Sequence, residues 1–204
     1  MARIHIKDPR LAPQTLRDRS VTGATQLGLA WSLTPEEKQE IIRNLDTTLI
    51  MRAMGVTGWG STKQLASEPG QLIVRDLLPK NDIGITNQEW EFTTHSTANT
   101  AKSLGVSTPM PDDEYWGFYG YGDLTSTPNI YEIKFMSGAV TKELWNVQIL
   151  RNMRDDKIGF AMSPIIYAPS QPIAIYLTSS SAGATTYPVF LGRVCELRGV
   201  VLNG

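Results

Sequence analysis

The chain has 204 residues, with 19 basic against 20 acidic side chains and a formal net charge of −1. That length can bury a core without disulfides or metal, and the single cysteine, Cys195, excludes an intramolecular disulfide framework. The even charge balance gives no global field toward nucleic acid or an anionic membrane; no run approaches the roughly 18 apolar residues of a membrane-spanning helix, and residues 1–8 lack the apolar stretch of a secretory signal.

Residues 1–31 carry Arg3, Lys7, Arg10, Arg17 and Arg19 against Asp8 and Asp18, while Pro9, Pro13 and Gly23 interrupt any helix. They read as an extended N-terminal arm, either a loose terminus or an arm on a neighbouring subunit or on packaged nucleic acid. The charge excess is small for a nucleic-acid contact.

One amphipathic helix is expected within residues 32–55. Thr34 is a good N-cap, Pro35 suits the first helical position, and Glu37 completes a capping box. Ile41, Ile42, Leu45, Leu49 and Met54 recur at helical spacing, and Gly55 is a suitable terminator. The apolar stripe must be covered, preferably by the chain's own β domain, otherwise by a partner.

From residue 56 to 204 the pattern is that of a β-sandwich domain. Gly55 to Gly70 reads as loop, Gln71–Leu78 as a strand stopped by Pro79, and Gln88–Phe92 as a strand alternating around Trp90. Thr93–Pro111 is polar and reads as a long loop. The run Tyr115-Trp116-Gly117-Phe118-Tyr119-Gly120-Tyr121 is an aromatic-rich strand with tight packing, or else a stacking surface for a sugar, a base or a partner through Trp116, Tyr119 and Tyr121. Further on, Tyr131, Ile133 and Phe135 alternate with Glu132 and Lys134. Trp145, Val147 and Ile149 share one face of Leu144–Leu150, and Ile173, Ile175 and Leu177 share one face of Pro172–Thr178. Tyr187–Val194 runs into an irregularity at Gly192. Period-2 runs bounded by Gly, Pro, Asn and Ser predict an antiparallel sandwich or barrel.

Chemistry-bearing constellations are sparse. His5 and His95 are isolated from each other and from Cys195, so no zinc spacing is present. Cys195 falls in a strand pattern and reads as a small buried hydrophobe. No Gly-x-Ser-x-Gly elbow or phosphate-cradling glycine loop occurs, and no serine or cysteine triad has a histidine to build on. No catalytic, cofactor-binding or metal residue is therefore assigned.

Pro111-Asp112-Asp113, followed by Glu132-Ile133-Lys134 and then Gln148, resembles the signature of the PD-(D/E)xK nucleases over some 40 residues. The resemblance implies Mg²⁺ held by Asp112 or Asp113 with Glu132, and a water oriented by Lys134. Glu132 and Lys134 do share a strand face, but the chain lacks a basic DNA-binding face, and residues 145–149 alternate as a strand where that family has a helix. Glu132 and Lys134 also suit the solvated face of an amphipathic strand.

A broader resemblance covers residues 115–200. Ile130, Ile133, Phe135, the Gly138 turn and Trp145 are followed by Pro164-Ile165-Ile166-Tyr167-Ala168-Pro169, then Ile173–Leu177, then Tyr187–Val194 leading to Glu196-Leu197-Arg198-Gly199. This order is similar to jelly-roll proteins of virus and phage particles. It implies a capsid or capsid-associated subunit, not an enzyme, that forms symmetric homo-oligomers in a virion made in host cytoplasm. Its partners would be copies of itself and other virion proteins, with nucleic acid reached through the arm of residues 1–31. A glycan- or receptor-binding sandwich is the further alternative.

Overall fold

A computed structural model describes residues 34–56, 63–86, 89–105, 108–147 and 158–199. The arm of residues 1–31 lies outside the described residues, as does Gln148. The helix α1 spans Pro35–Ala53. Glu37 N donates to Thr34 Oγ1 (3.2 Å) and Thr34 N donates to Glu37 Oε2 (2.8 Å), which closes the expected capping box. Gly55 follows in the left-handed conformation at φ 69°.

Eleven strands follow among the described residues: β1 (Leu72–Asp76), β2 (Phe92–Thr93), β3 (Ala101–Ser103), β4 (Thr108–Pro109), β5 (Tyr115–Asp123), β6 (Ile130–Ser137), β7 (Val140–Asn146), β8 (Ile158–Tyr167), β9 (Pro172–Ser179), β10 (Thr185–Thr186) and β11 (Pro188–Leu197). One sheet has the order β1-β11-β5-β8 and the other β3-β9-β6-β7, with β4 also on β9 and a small β2–β10 pair apart. All pairings are antiparallel. β3 and β4 lie along successive parts of β9 (Ala101–Ser103 against Tyr176–Thr178, Thr108–Pro109 against Pro172–Ile173), so they form one interrupted edge strand. Counted in chain order as eight main strands, the sheets read 1-8-3-6 and 2-7-4-5. That interleaving of first with last and second with second-last is the strand order of a jelly roll.

The core between the sheets is aromatic. Phe118 and Phe190 from one sheet meet Phe135 from the other, with centroids 5.3 Å apart for Phe118–Phe135 and 6.1 Å for Phe135–Phe190. Trp145 stacks edge-on against Phe135 at 4.6 Å. A second apolar layer lies outside the β1-β11-β5-β8 sheet, where Leu45, Leu49 and Ala53 of α1 pack with Tyr115, Tyr119, Leu72 and Cys195. The helix therefore covers its own β domain. Full burial of each leucine contributes about 1.5–3 kcal/mol. Arg193 of β11 adds a two-pronged ion pair to Asp46 of α1, at 2.9 and 3.1 Å.

β5 serves both layers by changing phase. Trp116 and Phe118 face the inter-sheet core while Tyr115 and Tyr119 face the helix. The register with β8 and β11 then shifts around Phe118–Gly120 and Leu191–Gly192, and Tyr121 returns to the core. A β-bulge produces this reversal by adding one residue to the ladder. The irregularity expected at Gly192 is its partner on β11.

The structure also corrects several expected elements. Of the expected strand Gln88–Phe92, Gln88 lies outside the described residues and, within 89–92, only Phe92 is in a strand; Trp90 instead packs, half-buried, on Phe190 at 5.7 Å. The polar stretch Thr93–Pro111 holds β3 and β4, because pairing with β9 organises it where side-chain alternation does not. β7 starts at Val140, four residues before the expected strand, since the turn at Gly138 (φ 58°) pairs Ser137 directly with Val140.

Candidate functional site

The nuclease-like residues do not converge. β5 runs the length of the sandwich from Tyr115 to Asp123 before the chain crosses to β6 at Ile130. Asp112 and Asp113 precede one end of β5, whereas Glu132 follows the other. Strands rise about 3.3 Å per residue, so roughly 20 Å or more separates them. Asp112 instead pairs with Lys63 at 3.0 Å on the surface. Glu132 accepts from the Thr178 hydroxyl at 3.3 Å, on the outer side of its sheet with Lys134. Among the described residues, no group of three acidic, histidine or cysteine side chains could hold a metal ion. The Mg²⁺ assignment to Asp112 or Asp113, Glu132 and Lys134 is overturned by this separation.

The stacking-surface reading fails on burial. Trp116, Tyr119 and Tyr121 are 3%, 7% and 0% exposed. Tyr121 donates to the buried Asp123 carboxylate at 2.9 Å, and Trp116 Nε1 donates to Glu114 at 2.6 Å. The run is a packing strand between two apolar layers.

His95 accepts from Thr97 N through Nδ1 at 2.9 Å, closing a local turn. Cys195 is fully buried under α1, and burial, with Asp46 and Glu196 nearby, pushes its thiol up to about 12, far from a nucleophile's range.

The polar cluster of consequence was not anticipated. Arg75 on β1 reaches inward and makes two-pronged pairs with two carboxylates at once. Its Nη1 and Nη2 donate to Asp82 at 2.8 and 2.9 Å, and its Nε and Nη2 donate to Glu196 at 3.0 and 3.1 Å. Glu114 stands 3.9 Å away. Asp82 sits in the single turn Pro79–Ile83 and also accepts from Leu78 N at 2.6 Å. The Asp82 and Glu196 side chains are 3% and 4% exposed. Burial alone would lower the Arg75 pKa, but the hydrogen bonds to Asp82 and Glu196 outweigh it and raise the pKa further. Glu114 moves up: burial dominates and the negative Asp82 and Glu196 add to it, against the Trp116 hydrogen bond and Arg75.

This cluster borders a cavity of about 300 Å³ where the β3–β4 edge strand breaks. Ile83, Leu104, Met110, Trp116, Ile173 and Ile175 line it, with Asp82 as its charged group. Arg75, Asp82, Glu114 and Glu196 come from four separate parts of the chain, and no local motif joins them. The available sequence signals were a lone arginine within Leu72–Asp76 and a lone glutamate between the apolar Cys195 and Leu197.

Strand order and a filled interior define a jelly-roll β-sandwich with α1 on the outer face of a sheet. No protein-family model matches the chain, and no curated protein matches it. Solved structures with similarity include virus particles and, more distantly, dimeric latent PorU from Porphyromonas gingivalis (TM-score 0.25, 8% identity). Infectious bursal virus-derived T=1 particles overlap with a TM-score of 0.36 and 11% identity, covering 63% of this chain and 32% of that one. The VP2 subviral particle of infectious bursal disease virus gives 0.34 and 12%, covering 63% and 33%. The T13 viral particle of the same virus gives 0.31 and 9%, covering 63% and 32%. This chain thus spans about a third of the length of those virus-particle chains. At this level of overlap the likeness is loose, and the fold assignment stands on the chain's own strand order.

Proposed function

We propose that the chain is a structural, self-assembling jelly-roll subunit of a virus particle, working as a symmetric homo-oligomer and not as an enzyme. The observation that carries this reading is the 1-8-3-6 and 2-7-4-5 strand order around an interior filled with aromatic rings. Jelly rolls serve as cupins, lectins and coat proteins. A cupin needs ligating side chains inside the sandwich, where this one holds Phe118, Phe135, Trp145 and Phe190. The aromatic run that would give a lectin a stacking face is buried. A rigid brick suits the remaining role, because its edges and loops can contact neighbours while the sheets stay fixed.

Apolar side chains at one side of the brick add support. Val140 and Leu144 on β7 and Ile158 on β8 are 67%, 51% and 52% exposed, on the two edge strands joined across the sandwich by Lys142. In this reading the arm of residues 1–31 reaches a neighbouring subunit, another virion protein or the packaged nucleic acid. Light scattering of the purified protein, with negative-stain microscopy of the same sample, tests the proposal. Rings, shells or other closed particles are expected. A clean monomer at high concentration across a range of salt overturns it.

A further inference from the structure

We propose that the cavity beside Asp82 binds a small molecule with an apolar body and a protonated amine. The space of about 300 Å³ is at the lower end of small-molecule sites. At about 30 Å³ per water it admits roughly ten non-hydrogen atoms. Its walls are the side chains of Met110, Trp116, Ile173 and Ile175, all less than a tenth exposed, so an apolar body gains by entering.

Asp82 gives the site its polar direction. A carboxylate offers about four acceptor positions. In Asp82, Oδ2 accepts from Arg75 Nη1 and Leu78 N, and Oδ1 accepts from Arg75 Nη2. One position on Oδ1 is left, on a side chain 3% exposed that lines the cavity. The surrounding charge selects the donor. Arg75 is a single cation facing Asp82, Glu196 and Glu114, so a ligand ammonium relieves the excess while a ligand carboxylate worsens it. Trp116 Nε1 is already committed to Glu114 and leaves its ring as apolar surface.

Calorimetric titration of the full chain with phenethylamine, 2-phenylethanol and 3-phenylpropionate at pH 7 tests the site. The amine should bind saturably, the alcohol at least fivefold more weakly, and the acid more weakly still. Ile83→Trp, which enlarges a side chain lining the cavity, should weaken the amine at least tenfold with the circular dichroism spectrum retained. Glu114→Gln, which keeps an acceptor for Trp116, should narrow the amine-to-alcohol ratio severalfold and leave alcohol binding unchanged, a readout that does not depend on filling the cavity. No saturable binding, an acid that binds as well as the amine, or a Glu114→Gln protein with an unchanged ratio overturns the proposal.

Discussion

Gly117 of β5 lies directly under Leu45 of α1: a Cβ at residue 117 would stand 2.5 Å from Leu45 Cδ1 and 3.2 Å from both Cγ and Cδ2. The helix can lie this close to the sheet only because that position carries no side chain. Leu45 is fully buried, so its branched end has nowhere to retreat. Gly117→Ala should therefore destabilise by about 1–3 kcal/mol through overpacking. Leu45→Ala alone should cost about 2–5 kcal/mol. Denaturant unfolding of both single variants and the double variant checks this: the double variant should be more stable than the sum of the singles implies, because the two residues share one space.

Removing Arg75 should be among the most damaging single changes. Arg75→Met leaves Asp82 and Glu196 buried without their counter-ion, and breaking a buried pair in this way costs about 3–5 kcal/mol. Thermal unfolding should show a large fall in the midpoint at neutral pH.

Glu114 makes the opposite prediction. Its folded pKa lies above the unfolded value, with burial as the main cause, so the charged form is the one the fold disfavours. The penalty is absent below the unfolded value, near about 4.3, and complete above the folded one. Glu114→Gln should thus raise the unfolding midpoint at pH 7–8, and the gain should disappear as the pH falls toward 4. A gain that instead grew in acid would reverse this sign.

The strands that read clearly in the sequence are those whose alternation is enforced by the aromatic core. Ile133 and Phe135 on β6, Ile173, Ile175 and Leu177 on β9, and Phe190 and Val194 on β11 all face the core. The capping box of α1 was equally legible, since all its parts lie within four residues. β3 and β4 were not, because an edge strand beside β9 is held by backbone pairing and needs no apolar pattern. The phase reversal at Tyr119–Gly120 was hidden because aromatic residues stand on both sides of β5 and both sides are buried. The Arg75 cluster was invisible for another reason: Arg75 and Glu196 are 121 positions apart in the chain and meet only because β1 pairs with β11.

The separation of Asp112 from Glu132 gives a simple expectation. Asp112→Ala should change stability by less than about 1 kcal/mol, since its partner is an exposed lysine and such surface pairs contribute little. Glu132→Ala should be similarly mild. Mg²⁺ should leave the unfolding midpoint of the wild type unmoved, measured by differential scanning fluorimetry with EDTA as the reference.

Lys142 shows how the exposed edge is managed and where assembly would be felt. It projects from edge strand β7 toward the opposite sheet, where its ammonium donates to Ile166 O and Gln171 Oε1 and lies 4.2 Å from the Tyr167 ring centroid. Burial, with a smaller contribution from Arg52, lowers its pKa. An inward-pointing lysine discourages indiscriminate pairing at an open sheet edge. The neighbouring Val140 and Leu144 are apolar and exposed, so specific contacts between copies would fall on them. Leu144→Glu should then leave monomer stability within about 0.5 kcal/mol, as expected for a surface change, while abolishing closed particles in the light-scattering assay. Particles that persist at wild-type size in Leu144→Glu and Val140→Glu would move the subunit contact away from β7. Loss of particles with an unchanged unfolding midpoint would place it there.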